Sequence, residues 1–192
     1  PALTVENSVE ISELENVLTS GQSQVTITNI DCDEEAYGTF FAGDNSELGL
    51  ESGIILSSGR AANAIGPNNE QGSFFDGDFQ RPGDPDLDAL SALTGDAILS
   101  NDACIIELDV FANTNELSFE YVFGSEEYPE YVNQTFNDIF AFLISGPGIT
   151  GIPELNNQEN IAVIPNTNTF VEINSVNNLL NWEYYRNNEY SM

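Results

Sequence analysis

Residues Val122–Pro147 read VFGSEEYPEYVNQTFNDIFAFLISGP, and the fold class follows from how the two ends of this stretch are read. On its N-terminal side Leu117, Phe119, Tyr121 and Phe123 alternate with Ser118, Glu120 and Val122, the period of two that marks a half-buried strand. On its C-terminal side Ile139–Ile144 is a short apolar run rich in Phe and Ile, which suits a buried strand better than a helix. The loop between them gathers Glu126, Glu127, Tyr128, Glu130, Tyr131, Asn133, Asn137 and Asp138, with no Lys, Arg or His beside them. Carboxylates this close repel one another unless water screens them or a cation binds them. Calcium, which takes six to eight oxygen ligands, matches the grouping. A solvated acidic loop is the plain alternative.

Working outward, the same signals recur. Ser12 and Glu15 fit a capping box, and Ile11, Leu14, Val17 and Leu18 share one helical face up to Gly21. Gln24–Ile30, Tyr37–Phe41 and Leu48–Leu56 read as strands. The segment from Arg60 to Asp86 is loop-like, with Phe74, Phe75 and Phe79 interleaved. Asp84 suits an N-cap with Pro85 at the first helical position, and Leu87, Leu90 and Leu93 then lie on one face before Gly95. Cys104–Val110 alternates as a strand, with Glu107 and Asp109 together on one face. Ile161–Ile164 and Phe170–Ile173 are two further short strands, and residues 1–11 give little signal. Short strands with turn punctuation and two short helices predict a mainly β fold, a jelly-roll-like β-sandwich with long acidic loops.

The chain has 192 residues, enough for one domain with a sizeable core. Its formal charge is −29, from 32 acids against three arginines (Arg60, Arg81, Arg186), with no Lys and no His. Nothing in it neutralises phosphates, so nucleic acid is excluded as a partner. An anionic membrane surface is excluded for the same reason, and direct membrane insertion is not expected, because no run of about 18 apolar residues occurs. Self-repulsion on this scale destabilises the compact state, and divalent cations outside the cell would offset it. The chain has no initiator Met and no signal peptide, and reads as a mature or excised segment.

Cys32 and Cys104 stand too far apart in sequence for a clustered metal site or a CxxC redox motif. In a secreted protein they form one disulfide; otherwise they are two buried thiols. Without His or Lys, catalytic triads, Schiff bases and His-ligated zinc are unavailable. A carboxylate pair, Glu126 or Glu127 with Asp138, is the one enzymatic option left, that of a glycoside hydrolase. A non-enzymatic role is expected.

The segments LGLESGIILSSG, DPDLDAL, DACIIELDV, LSFEYVFGSEEYPEYVNQTFNDIFAFLISGPG and NIAVIPNTNTFVEINSVNN together resemble the choice-of-anchor L domain family, from about residue 12 to about residue 178. The resemblance implies a secreted or surface-anchored bacterial protein attached through varied C-terminal segments. It also implies a single domain over residues 1–192 that lacks its last strands, leaving an open sheet edge for homo-assembly with another copy. A weaker likeness to the ligand-binding modules of calcium-dependent bacterial adhesins implies calcium as cofactor and an extracellular peptide or glycan ligand.

On that reading Glu126, Glu127, Glu130 and Asp138 are the first calcium candidates, with Tyr128, Tyr131, Asn133 and Asn137 as ligand contacts. Asp76, Asp78, Asp84, Asp86 and Asp88 form a second candidate cluster. Their alternating spacing occurs in calcium loops, but the Gly and Glu of an EF-hand are missing. Helix capping by Asp84 and Asp86 plus a solvated loop explains them equally well. Asp31, Asp33, Glu34 and Glu35 read as solvent-facing. Three functions remain open: a calcium-stabilised adhesion module, a structural subunit of a surface layer or filament assembled by strand exchange, and the glycosidase.

Overall fold

The computed structural model describes residues 3–19, 23–43, 48–66, 79–134 and 136–187. Among these the chain forms seven strands and two α-helices, with the strands in three antiparallel sheets, so the mainly β class holds. The chain gathers into two compact units: Pro1–Gly66 with Asp76–Arg81 and Asp102–Val122, and Pro67–Phe75 with Pro82–Asn101 and Phe123–Met192.

In the first unit, β1 (Leu3–Asn7), β3 (Tyr37–Ala42) and β4 (Ser52–Leu56) form one sheet in the order β1-β3-β4. β1 has no clear signal in the sequence, yet its burial alternates residue by residue as a half-buried strand should. Gly38 is required where β1 passes: a Cβ there would lie 2.1 Å from the Glu6 carbonyl oxygen. β2 (Gln24–Asp31) pairs with β5 (Ile105–Phe111) through a bulge at Ile27/Asn29. Ile106, Leu108 and Val110 are half-buried, while Glu107, Asp109 and Phe111 are exposed. Asn29 Nδ2 donates to Glu107 Oε2 at 2.8 Å.

Cys32 and Cys104, just outside the paired ends of these two strands, form a disulfide with Cα atoms 4.4 Å apart. Helix α1 (Ile11–Leu18) packs on β2, β3 and β4. Its apolar face is narrower than expected, for Leu14 is fully buried while Ile11 and Val17 stay exposed. The cap also differs. Glu10 is the N-cap, and Glu13, not Glu15, accepts from its N–H at 3.2 Å. Glu15 instead accepts the Ile27 N–H at 2.9 Å, tying α1 to β2.

In the second unit, α2 (Pro85–Thr94) starts as the sequence indicates: Asp84 Oδ1 accepts the N–H groups of Asp86 and Leu87 at 2.9 and 3.1 Å. Gly95 ends the helix with φ of 100°, a left-handed C-terminus that favours glycine. Leu90 is fully buried, and Leu93 is exposed. β6 (Leu143–Ile144) pairs with β7 (Glu159–Asn160). The core holds Ile164, Val171 and Val176, with Phe123 and Tyr185 packed against it.

Two expected strands are mostly not ladders. Within Ile139–Ile144 only the last two residues pair as a strand. The reason is visible at Phe142, whose N–H goes to the side-chain Oδ1 of Asn160 at 3.0 Å and not to a strand carbonyl. Leu117–Phe123 joins none of the three sheets among the described residues. It leaves the first unit at Val122 and enters the second at Phe123, and of its side chains only Phe119 and Phe123 are half-buried, Phe123 against the core of the second unit. Ile161–Ile164 and Phe170–Ile173 meet as a hairpin around a turn at Asn166, with a single bridge between Val163 and Phe170.

Candidate functional site

The acidic loop lies within the second unit and folds as consecutive turns. The Tyr131 N–H donates to the Glu127 carbonyl and the Gln134 N–H to the Tyr131 carbonyl, both at 3.0 Å. Ser125 sets the geometry of the acids. Its Oγ donates to Asp138 Oδ2 at 2.6 Å and accepts the Glu127 N–H at 3.0 Å. Glu126, Glu127 and Asp138 are thereby held as neighbours in charge. Burial pushes the Glu126 carboxyl above its usual range and the Asp138 charge pushes it further. Glu127 is raised by burial, then by Asp138 and Glu126. Solvent reaches one side of Asp138, yet surrounding protein pushes its carboxyl up against the lowering effect of Ser125. One oxygen stands out: Glu127 Oε2 is buried with no hydrogen-bond partner, a costly state for a carboxylate.

The rest of the loop divides between packing and tethering. Tyr128 is half-buried, its hydroxyl donating to the Val176 carbonyl and its ring 5.0 Å from that of Tyr185. Burial, then the charges of Tyr185, Asp138 and Glu172, push its phenol up. The Tyr131 ring meets Phe136 edge-on at 5.3 Å. Glu130 is exposed. Asn133, with φ of 61°, donates its N–H to Asn174 Oδ1 at 2.7 Å.

Asn137 opens a second group that sequence reading missed. Its Nδ2 lies between two carboxylates, 2.7 Å from Asp96 Oδ2 and 3.0 Å from Glu172 Oε2. Asn174 Nδ2 reaches the same Asp96 oxygen at 3.3 Å, and the Asn174 N–H donates to Asn137 Oδ1 at 3.3 Å. Glu172 is 7% exposed. Burial raises its carboxyl, the Asn137 bond opposes this, Asp96 raises it again and Thr94 lowers it. No local signal marks Asp96 or Glu172 in the sequence, because each stands alone among neutral residues. This group has its donors, and it fixes Asn137 and hence Asp138.

The second predicted cluster is not brought together in the same way. Asp84 caps α2. Asp88 Oδ1 accepts the Ser100 N–H at 2.6 Å and its Oγ–H at 2.7 Å, bonds that lower its pKa. Asp86 accepts from Asn156 Nδ2 at 2.6 Å and Gln158 Nε2 at 3.1 Å. Asp76 and Asp78 lie outside the described residues. Among the described residues no three or more Asp, Glu, Cys or His side chains are grouped to hold a metal ion. Glu126, Glu127 and Asp138 offer carboxylate oxygens, the donor type of a hard cation, but their side chains do not form such a group.

A cleft of about 390 Å³, lined by Leu48, Leu50, Phe119 and Tyr121 among others, lies in the first unit and contains none of the predicted site residues. No helix is long and apolar enough to cross a membrane among the described residues.

Neither the curated proteins nor the solved structures contain a match to this chain. The choice-of-anchor L domain model matches residues 4–191, essentially the whole sequence, and the chain therefore belongs to this family of bacterial surface-associated proteins.

Proposed function

We propose that the protein is a secreted or surface-anchored adhesion module whose loop Glu126–Asp138 takes up calcium and presents it to an extracellular peptide or glycan ligand. The observation that carries this reading is the buried, unpartnered Glu127 Oε2 beside the mutually repelling Glu126 and Asp138. A bound ion would supply the positive charge these oxygens lack, and its remaining coordination positions would accept an acidic or hydroxyl group of the ligand. Glu126, Glu127 and Asp138 would hold it, Ser125 keeps Asp138 oriented, and the Asn137–Asp96–Glu172 group anchors the loop from behind. The role is one of binding without catalysis. The two larger sheets of the first unit are taken as the faces of a small sandwich. Isothermal calorimetry with calcium, followed by a peptide and glycan screen with and without chelator, tests the reading. Absence of heat with calcium refutes it.

A second reading is favoured by sheet order. β1 and β4 are the outer strands of the sheet β1-β3-β4, and an outer strand is a template for pairing with another copy. Sedimentation at rising concentration separates the two: assembly without calcium supports the second, a monomer the first.

A further inference from the structure

We infer that the Arg186–Asn187 peptide bond is the processing site of this chain, the bond at which an arginine-specific endopeptidase cuts the folded protein. The chain has no lysine and three arginines, so basic-residue-directed peptidases have three bonds to choose from, and all three arginines are among the described residues. The fold closes two of them.

Arg60 precedes a 3₁₀ turn, Ala61–Ile65. Ala61 is 1% exposed, and its N–H donates to the Glu35 carbonyl at 2.8 Å. The Arg60 carbonyl accepts the Asn63 N–H at 2.9 Å, and the Arg60 guanidinium is paired with Glu35 at 3.2 Å. A peptidase needs several residues drawn out as an extended strand, and here that requires local unfolding of packed structure. Arg81 is followed by Pro82, which has no N–H and whose ring obstructs a cleft built for an ordinary peptide. Asp102 holds Arg81 from both backbone groups, accepting its N–H at 2.8 Å and donating to its carbonyl at 3.2 Å.

Arg186 differs in the exposure of the bond it precedes and in following a turn instead of opening one, although Tyr185 before it donates its N–H to the Trp182 carbonyl at 3.1 Å. It is exposed and lies beyond the last 3₁₀ turn, Trp182–Tyr184, in a segment with no regular structure. Tyr185 before it is extended, with φ of −89° and ψ of 141°, the backbone shape that peptidase clefts bind by strand addition. The guanidinium donates to the carbonyls of Glu183 and Tyr185 at 3.3 and 2.9 Å. These are neutral acceptors, which a carboxylate in a peptidase's specificity pocket outcompetes. The step is hydrolysis: the oxygen of water bonds to the Arg186 carbonyl carbon, the C–N bond breaks, and the Asn187 nitrogen leaves as the amine with the proton. The cut removes the residues beyond Arg186 and keeps Tyr185 on the core.

The test is limited trypsin digestion of the folded chain, with intact-mass spectrometry of the products, beside a urea-denatured control. The expected course is accumulation of a single product ending at Arg186. Arg186→Gln should abolish that product, while Arg60→Gln should leave it unchanged. A first cut after Arg60 overturns the inference. So does a folded chain whose Arg186–Asn187 bond survives while the denatured control is cut there.

Discussion

Replacing Glu127 by Gln should stabilise the calcium-free protein and remove most of its response to calcium, two effects of opposite sign from one substitution. Gln keeps the shape and removes the charge that Asp138 and Glu126 repel. The group is partly open to water, so screening limits the gain without calcium to about 0.5 kcal/mol. In the parent protein, calcium at about 100 to 1,000 times its dissociation constant should add roughly 2.7–4.1 kcal/mol. A chain of 192 residues shifts its melting temperature by about 2–4 °C per kcal/mol. Calcium should then raise the midpoint by roughly 5–16 °C in the parent and by only a small part of that in Glu127→Gln. Scanning calorimetry with excess calcium and then with chelator gives both numbers. An undiminished calcium shift in the variant would refute the placement of the ion, and no shift in the parent would refute the ion itself.

Asn177→Ala should cost about 2–4 kcal/mol in urea unfolding, because this fully buried amide donates to the Ile173 carbonyl and accepts from the N–H groups of Leu179 and Leu180, all at 2.9 Å. Asp84→Ala should cost about 1 kcal/mol through loss of the α2 cap, with Asp84→Ser recovering most of it. Opening the Cys32–Cys104 bridge, which closes a loop with a sequence separation of 72, should lower stability by about 4 kcal/mol in the chain-entropy account, measured as the shift in urea midpoint with reductant. In calcium-free buffer, stability should fall as pH rises above about 4 through the raised pKa values of Asp138, Glu126, Glu127 and Glu172. The sign is set by the folded state, which binds protons more tightly than the unfolded chain at these groups. Asp88, whose pKa is lowered, opposes this by contributing stability above the usual aspartate range and losing it below. A pH series of melts checks the net slope, and a rise in stability across that window without calcium would overturn the assignment.

Local chemistry was legible where one residue type has one physical use. Asp84-Pro85 before a leucine face announced α2, and Gly95 announced its end, because few other residues cap or stop a helix there. The acids of β5 faced outward, as a strand of period two requires. The pairing of Cys32 with Cys104 was one of two open readings, and the structure selects it. What failed was ladder formation around the central stretch. Alternation in Leu117–Phe123 identifies faces but not partners, and side chains replaced strand backbone: Asn160 Oδ1 takes the Phe142 and Ala162 N–H groups at 3.0 Å. Glu10 could not be preferred over Ser12 as the α1 cap, since that choice depends on Glu15 being engaged by Ile27 in the next strand. The Asp96–Asn137–Glu172 group was invisible for the same reason, its members being distant in sequence.

The two units answer their negative charge differently, and this bears on the calcium reading. In the first, arginine meets acid: Arg60 pairs with Glu35 and Arg81 with Asp31. In the second, the donors to carboxylates among the described residues are amides, hydroxyls and backbone N–H groups: Asn137 and Asn174 on Asp96, Asn137 on Glu172, Asn156 and Gln158 on Asp86, Ser125 on Asp138 and Ser100 on Asp88. Arg186, its one arginine, bonds to carbonyls. A neutral donor satisfies a lone pair but leaves the charge uncancelled, so repulsion persists at sites whose hydrogen bonding is complete. It is worst where bonding is also incomplete, at Glu127. An acid that has only neutral donors gains more from a divalent cation than one already paired with arginine, as Glu35 and Asp31 are. Calcium should therefore act on the second unit and leave the first nearly unchanged, which amide hydrogen exchange resolved by segment can measure. Protection gained equally in β2 and β5 would mean that the ion is a general counter-charge and not a ligand of the acidic loop.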